Sequence, residues 1–216
     1  MASPDTRVAF VSGGRLAGWV ERFGASHGEL REVPDDAGLR LLAADGATAL
    51  LQPPWPDGGR PGRGADAVAR LASLAGQPRR LGLVLVRRGG YSVAVVSEGR
   101  VLAAKTGTRH VQSRTAAGGW SQQRFARRRA NQADALVEAV ADHAARIFAD
   151  HGVEYLVPGG DRTLAEQVLA EPVLKGYAAL LRLPFLDVPD PRASVLKKAA
   201  GDACAVRILV TDPPTE

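Results

Sequence analysis

Apolar residues recur along this chain with two different periods, and the alternation between them outlines its elements. Leu16, Trp19, Val20 and Phe23 stand three or four residues apart, which predicts an amphipathic helix from about Arg15 to Ser26. Leu39 to Leu42 and Thr48 to Leu51 flank Asp45-Gly46, a dipeptide that tolerates the positive φ of a tight turn, so this stretch reads as a hairpin. From Pro53 to Gly64 proline and glycine dominate, which predicts a loop or linker. A short helix is expected from Ala65 to Ala75, closed by Gly76. Beyond it, Leu81–Arg87, Tyr91–Ser97 and Arg100–Lys105 are apolar or alternating runs separated by Gly89-Gly90 and Glu98-Gly99, the pattern of an antiparallel meander.

After a polar stretch from Thr106 to Ser121, Ala133, Leu136, Val137, Val140, Ala144, Ile147 and Phe148 form the stripe of a long helix closed by Gly152. Val153–Val157 is expected as a buried strand, Gly159-Gly160-Asp161 as a loop carrying an N-cap, and Arg162–Leu169 as a helix ended by Glu171-Pro172. Leu180–Leu186 and Ala203–Val210 read as further strands. The order of elements predicts an α/β sandwich with a mixed sheet and a small N-terminal α+β extension. The expected division is a helix-and-hairpin unit over 1–52, a linker with its short helix over 53–76, and a larger domain over 77–216.

Composition narrows the class. Hydrophobic residues make up 45% and charged residues 24%, as in ordinary globular domains. No apolar run approaches the ~18 residues of a membrane span. Met1 to Phe10 has no signal-peptide pattern, and the single cysteine, Cys204, permits no internal disulfide, so a cytoplasmic, monomeric protein without membrane contact is expected. Of the 28 basic residues, eight lie between Gly99 and Ala133 (Arg100, Lys105, Arg109, Arg114, Arg124, Arg127, Arg128 and Arg129), where there is no Asp or Glu. The chain has 23 acidic residues, so outside this window acidic residues outnumber basic ones. Positive charge so concentrated points to a polyanionic partner.

The same window carries the candidate chemistry, Arg114-Thr115-Ala116-Ala117-Gly118-Gly119-Trp120-Ser121-Gln122-Gln123-Arg124-Phe125-Ala126-Arg127-Arg128-Arg129. It begins as a loop and becomes the first turns of the long helix. Four arginines in those turns oppose the helix dipole, each unfavourable by roughly 0.3–1 kcal/mol unless an anion is bound. With phosphate present, dipole and guanidinium groups act together. Gly118-Gly119 allows the backbone to approach a ligand, and Trp120 can stack on a base. A glutamine is a poor base, but it can orient water at an ester carbonyl, and its backbone amide can support an oxyanion.

These residues resemble the middle domain of archaeal and eukaryotic peptide-chain release factors, in which a Gly-Gly-Gln loop runs into a helix reading roughly Arg-Phe-x-Arg; here the helix reads Arg124-Phe125-Ala126-Arg127. The third position departs from that pattern, being Trp120. The sequence is similar to the Vms-like release factors of ribosome quality control, which read Gly-Gly-Ser-Gln, and within them to the actinobacterial-type members, with a tryptophan inserted before Ser121-Gln122. The resemblance spans roughly Leu81 to Val210. It assigns Gly118 and Gly119 to the two glycines and Gln122 to the glutamine, with Gln123 as the rival because of the insertion. It implies a ribonuclease H-related sandwich and peptidyl-tRNA hydrolysis at the peptidyl transferase centre of the large ribosomal subunit. Arg109, Arg114, Trp120, Arg124, Arg127, Arg128 and Arg129 would touch ribosomal RNA or the tRNA, and no cofactor is implied. The alternatives are cleavage of the tRNA 3′ CCA end and a non-catalytic ribosome- or RNA-binding rescue module.

Other chemistries fit less well. A two-metal nuclease needs several strand carboxylates, and the three meander strands contain none. His27, His110, His143 and His151 lack metal-ligand spacing, and one cysteine leaves no Cys-rich zinc finger. Cys204 is expected in an apolar strand as a core residue, and Ser121 lacks the Gly-x-Ser-x-Gly setting of a hydrolase nucleophile. Gly159-Gly160-Asp161 could cradle a phosphate, but reads better as loop chemistry.

Overall fold

The structure, a computed structural model, describes residues 6–108 and 121–213, with the backbone alone over 121–131. In chain order its elements are β1 (Thr6–Val11), α1 (Gly13–His27), β2 (Leu30–Asp35), β3 (Gly38–Ala43), β4 (Thr48–Gln52) and α2 (Ala67–Ala75). Then come β5 (Leu81–Arg87), β6 (Gly90–Ser97), β7 (Arg100–Thr108), α3 (Ser121–His151), β8 (Tyr155–Gly160) and α4 (Arg162–Ala170). A 3₁₀ helix (Pro172–Tyr177), α5 (Ala193–Ala203) and β9 (Val206–Thr211) complete them. The chain divides into two compact units, residues 1–78 with 201–216, and residues 79–200. Among the described residues the architecture is mixed α/β, with two sheets and no closed barrel.

The first unit is a five-stranded antiparallel sheet in the order β1-β9-β4-β3-β2. Its register sorts side chains cleanly, because residues directly opposite each other share a face. Ala9, Ile208, Leu51 and Leu39 form one row across four strands, and the neighbouring row runs Val210, Ala49, Leu41. Against these rows pack Leu16 and Phe23 of α1 and Val68, Leu71 and Ala75 of α2. A fully buried leucine or phenylalanine contributes about 1.5–3 kcal/mol in such a core. The two helices approach each other closely at Gly13, where a Cβ would stand 2.4 Å from the Ala72 carbonyl oxygen. Asp66 caps α2 by accepting a hydrogen bond from the Ala69 amide at 2.7 Å.

The second unit contains the expected meander, β5, β6 and β7, extended by β8 parallel to β5, so this sheet is mixed. Val84, Val86, Val93 and Val95 face a core completed by Leu136, Val140, Ala144 and Phe148 of α3 and Leu164 and Val168 of α4. Phe148 fits because β5 has glycine at position 82, where a Cβ would be 2.8 Å from its ring. α3 has 31 residues, a length of about 45 Å at 1.5 Å per residue. Gly152, at φ 62°, ends it by donating its amide to the Phe148 carbonyl.

Several expectations are corrected. The C-terminal strand, expected in the larger unit, lies between β1 and β4 of the first sheet; it is the apolar partner both strands need on their core side. Leu180–Leu186 makes two isolated parallel bridges to β8, through Arg182 and Leu186, and not a strand. Gly159 and Gly160 are the last residues of β8, not a loop. A Cβ on Gly160 would stand 2.3 Å from the Val86 carbonyl oxygen, and its φ of 92° suits glycine alone. Asp161 does cap α4, accepting from the Leu164 amide. Cys204 is buried, but it follows α5 in a turn and is not part of a strand. Among the described residues, four elements have no counterpart in the sequence expectations: β1, β2, the 3₁₀ helix and α5.

Candidate functional site

β7 and the start of α3 are the described parts of the basic window. β7 ends at Thr108, opposite Gly90 of β6, and α3 begins at Ser121. Gly118, Gly119, Trp120, Arg109, Arg114 and His110 therefore lie outside the described residues. Gln122, Gln123, Arg124, Arg127, Arg128 and Arg129 belong to the first turns of α3, which are described as backbone.

That backbone has consequences of its own. Ser121, Gln122 and Gln123 are the first three helical residues, positions whose amides have no acceptor within an α-helix. The first turn contains no acidic residue, so nothing in it offsets the positive end of the dipole. Gln122 and Gln123 occupy positions about 100° apart around the helix axis. Arg124, Arg127 and Arg128 are spaced by three and four residues and share one face. Among the residues of α3 whose side chains are described, the first that is fully buried is Leu136. Gln122 lies on the order of 20 Å along the helix from it.

The packing among β6, β7 and α3 is well defined. Ser92 of β6, fully buried, shares a 2.8 Å hydrogen bond with Thr106 of β7 and donates to the Pro191 carbonyl at 3.4 Å. The Tyr91 ring stacks on His143 of α3, centroids 5.7 Å apart. Arg146 donates to His143 Nδ1 at 2.7 Å. Burial, followed by the charges of Arg146 and Lys105, holds the His143 imidazole below its ordinary pKa, with Asp142 opposing. A neutral ring bridging β6 and α3 fits this setting. Sequence reading treated His143 only as a histidine without metal spacing; no spacing signal marks its partnership with Tyr91.

One other sequence candidate is resolved by hydrogen bonding. The Gly160 amide donates to the Leu186 carbonyl and the Asp161 amide to the Val86 carbonyl, so neither of these amides at the end of β8 is left to offer a phosphate. Among the described residues, no group of three His, Cys, Asp or Glu side chains could hold a metal. No described helix is long and apolar enough to cross a membrane.

Comparison with known proteins agrees with the resemblance carried by Gly118 to Arg129. A family described as Actinobacteria/chloroflexi VLRF1 release factor matches residues 79–209, more than half of the chain. A solved structure of a Vms1 mitochondrial localization core is similar at 12% identity and a TM-score of 0.41, over 96% of this chain and 86% of that one. No curated protein matches the sequence. The chain therefore belongs to the Actinobacteria/chloroflexi VLRF1 release factor family, whose members serve ribosome rescue.

Proposed function

We propose that this protein hydrolyses the ester bond of peptidyl-tRNA on stalled large ribosomal subunits and so frees the nascent chain. The observation that carries this reading is the start of α3 at Ser121, immediately after Gly118-Gly119-Trp120, which puts Gln122 in the first turn at the positive helix end. Gln122 orients the attacking water, and amides near the helix start support the developing oxyanion. The terminal 2′-hydroxyl of the tRNA relays the proton, since the window from Arg100 to Gln132 has no carboxylate to act as base. Arg109, Arg114, Arg124, Arg127, Arg128 and Arg129 neutralise ribosomal RNA and tRNA phosphates, and Trp120 stacks on a base. The protein works in the cytoplasm as a monomer, without a cofactor.

The test is incubation with stalled large subunits carrying labelled peptidyl-tRNA, followed by separation of free peptide from tRNA. Wild-type protein releases peptide, and Gln122→Ala slows release by at least two orders of magnitude, the scale of a lost positioning group. Gln123→Ala has the smaller effect. Release at the wild-type rate by both variants rejects the mechanism, and loss with Gln123→Ala alone moves the glutamine by one position.

A further inference from the structure

Positive charge continues beyond the first turns of α3, along the side of the domain where α3 lies over β7. On β7, Ala103, Lys105 and Gly107 stand opposite Val95, Val93 and Tyr91, so they share the face of the sheet that α3 covers. Lys105 is the one long side chain among those three, and it is exposed on the edge strand. From α3, the exposed Arg146 donates to His143 Nδ1 at 2.7 Å, and its Nε donates to the Asp142 carbonyl at 3.2 Å. The charges of both Arg146 and Lys105 act on the His143 ring. Three nitrogen-bearing side chains from two elements thus gather beside the outer strand.

The two cations of this cluster have no carboxylate partner among the described residues. Asp142 stands four residues before Arg146, the order and spacing in which a helix pairs an acid with a base. The guanidinium nevertheless bonds the Asp142 backbone and the imidazole. Cations gathered without a counter-charge work against the fold through self-repulsion, and a bound polyanion reverses the sign. The cluster is also in line with the basic first turns. Positions 128 and 146 fall on one face of α3, about five turns and about 27 Å apart.

We propose that Lys105 and Arg146 form a second phosphate-binding point, so that the backbone of a double-helical RNA runs along the α3–β7 side of the domain from the first turns of α3 to Arg146. This rests on the reading that the basic window binds RNA, and it holds whichever reaction occurs at Gln122. A duplex carries one phosphate per ~3.4 Å of each strand, so a stem of roughly eight base pairs spans the two points. RNA helices are recognised by shape and by phosphate contacts of this kind. A duplex keeps the spacing on its own, whereas a single strand has to be ordered to match it.

Fluorescence anisotropy with the full chain and a labelled 12-base-pair RNA duplex, across a salt series, tests the inference. Lys105→Gln and Arg146→Gln should each weaken binding at least threefold and lower the slope of log affinity against log salt by about one, with thermal melting unchanged. Lys197→Gln, which removes an exposed charge elsewhere in the same compact unit, should stay within twofold of wild type. One strand of the duplex alone should bind at least threefold more weakly than the duplex. If Lys105→Gln and Arg146→Gln bind like wild type while a double Arg127→Gln, Arg128→Gln variant is weakened, RNA is confined to the window and this inference alone fails. No binding by wild-type protein overturns it together with the RNA reading of the window. A loss with Lys197→Gln equal to that with Lys105→Gln overturns it by assigning the effect to bulk charge, and tighter binding of the single strand overturns the stem as partner.

Discussion

The ring of Tyr91 on β6 lies against the α-carbon of Gly107 on β7, so close that a Cβ at position 107 would stand 2.6 Å from its ring carbons. The two residues are directly opposed, one position before β7 ends and the basic window continues. Gly107→Ala must push the ring toward His143 and α3. Overpacking of this kind costs about 1–3 kcal/mol. Urea denaturation should show that loss, and it should shrink in a Tyr91→Leu background, where the ring is gone. Equal losses in both backgrounds would separate Gly107 from the Tyr91 ring.

His143 makes stability depend on pH. Its folded pKa lies below the ordinary histidine value because of burial and of the Arg146 and Lys105 charges. The unfolded chain therefore binds a proton first as pH falls through the ordinary histidine range, and folding stability declines there. Above that range both states are neutral at this residue and the contribution is flat. His143→Gln should flatten the decline, measured as the denaturation midpoint at a series of pH values from 5 to 8. A decline unchanged in the variant would assign it to other groups.

Elements whose periodicity is local were legible in the sequence. The stripe from Ala133 to Phe148 identified α3, and Asp45-Gly46 identified the β3–β4 hairpin, because each signal lies within the element it describes. β2 was not legible, since Leu30-Arg31-Glu32-Val33-Pro34-Asp35 has the charge and proline of a loop; it is a strand because it is an edge, where those residues are tolerated. The partners of β9 are set by pairing across most of the chain, with Val210 opposite both Arg7 and Ala49, and no local signal encodes that. The glycine pair at the end of β8 reads in the sequence as a loop, whereas it permits close approach of Val86 and Leu186. Within the site, the family was legible from Gly118 to Arg127, and the helix placement of the glutamines and arginines from the stripe that follows. The Tyr91–His143 stack was not, because it joins residues brought together only by packing α3 on the sheet.

The arginines of α3 should reveal themselves through salt. If Arg127 and Arg128 neutralise RNA phosphates, replacing both with glutamine lowers the slope of log affinity for the large subunit against log salt by about one to two. The same change relieves two charges opposed to the helix dipole and raises stability by roughly 0.3–1 kcal/mol per residue at low salt. Binding measured by sedimentation across a salt series, together with a melting curve, checks both parts. An unchanged slope would return these residues to a solvated face.

The most direct test of the central claim reads the 3′ end of the released tRNA. Water attacking the ester carbonyl leaves an intact CCA end with a free hydroxyl. Attack by a 2′-hydroxyl within the tRNA backbone would instead leave the peptide on a short nucleotide stub. After reaction with stalled large subunits, the recovered tRNA should accept a fresh amino acid from its synthetase directly, and the released peptide should carry no nucleotide. Recovery of tRNA that is charged only after repair by a CCA-adding enzyme, with peptide still bound to a nucleotide stub, would contradict ester hydrolysis and establish cleavage of the tRNA 3′ end.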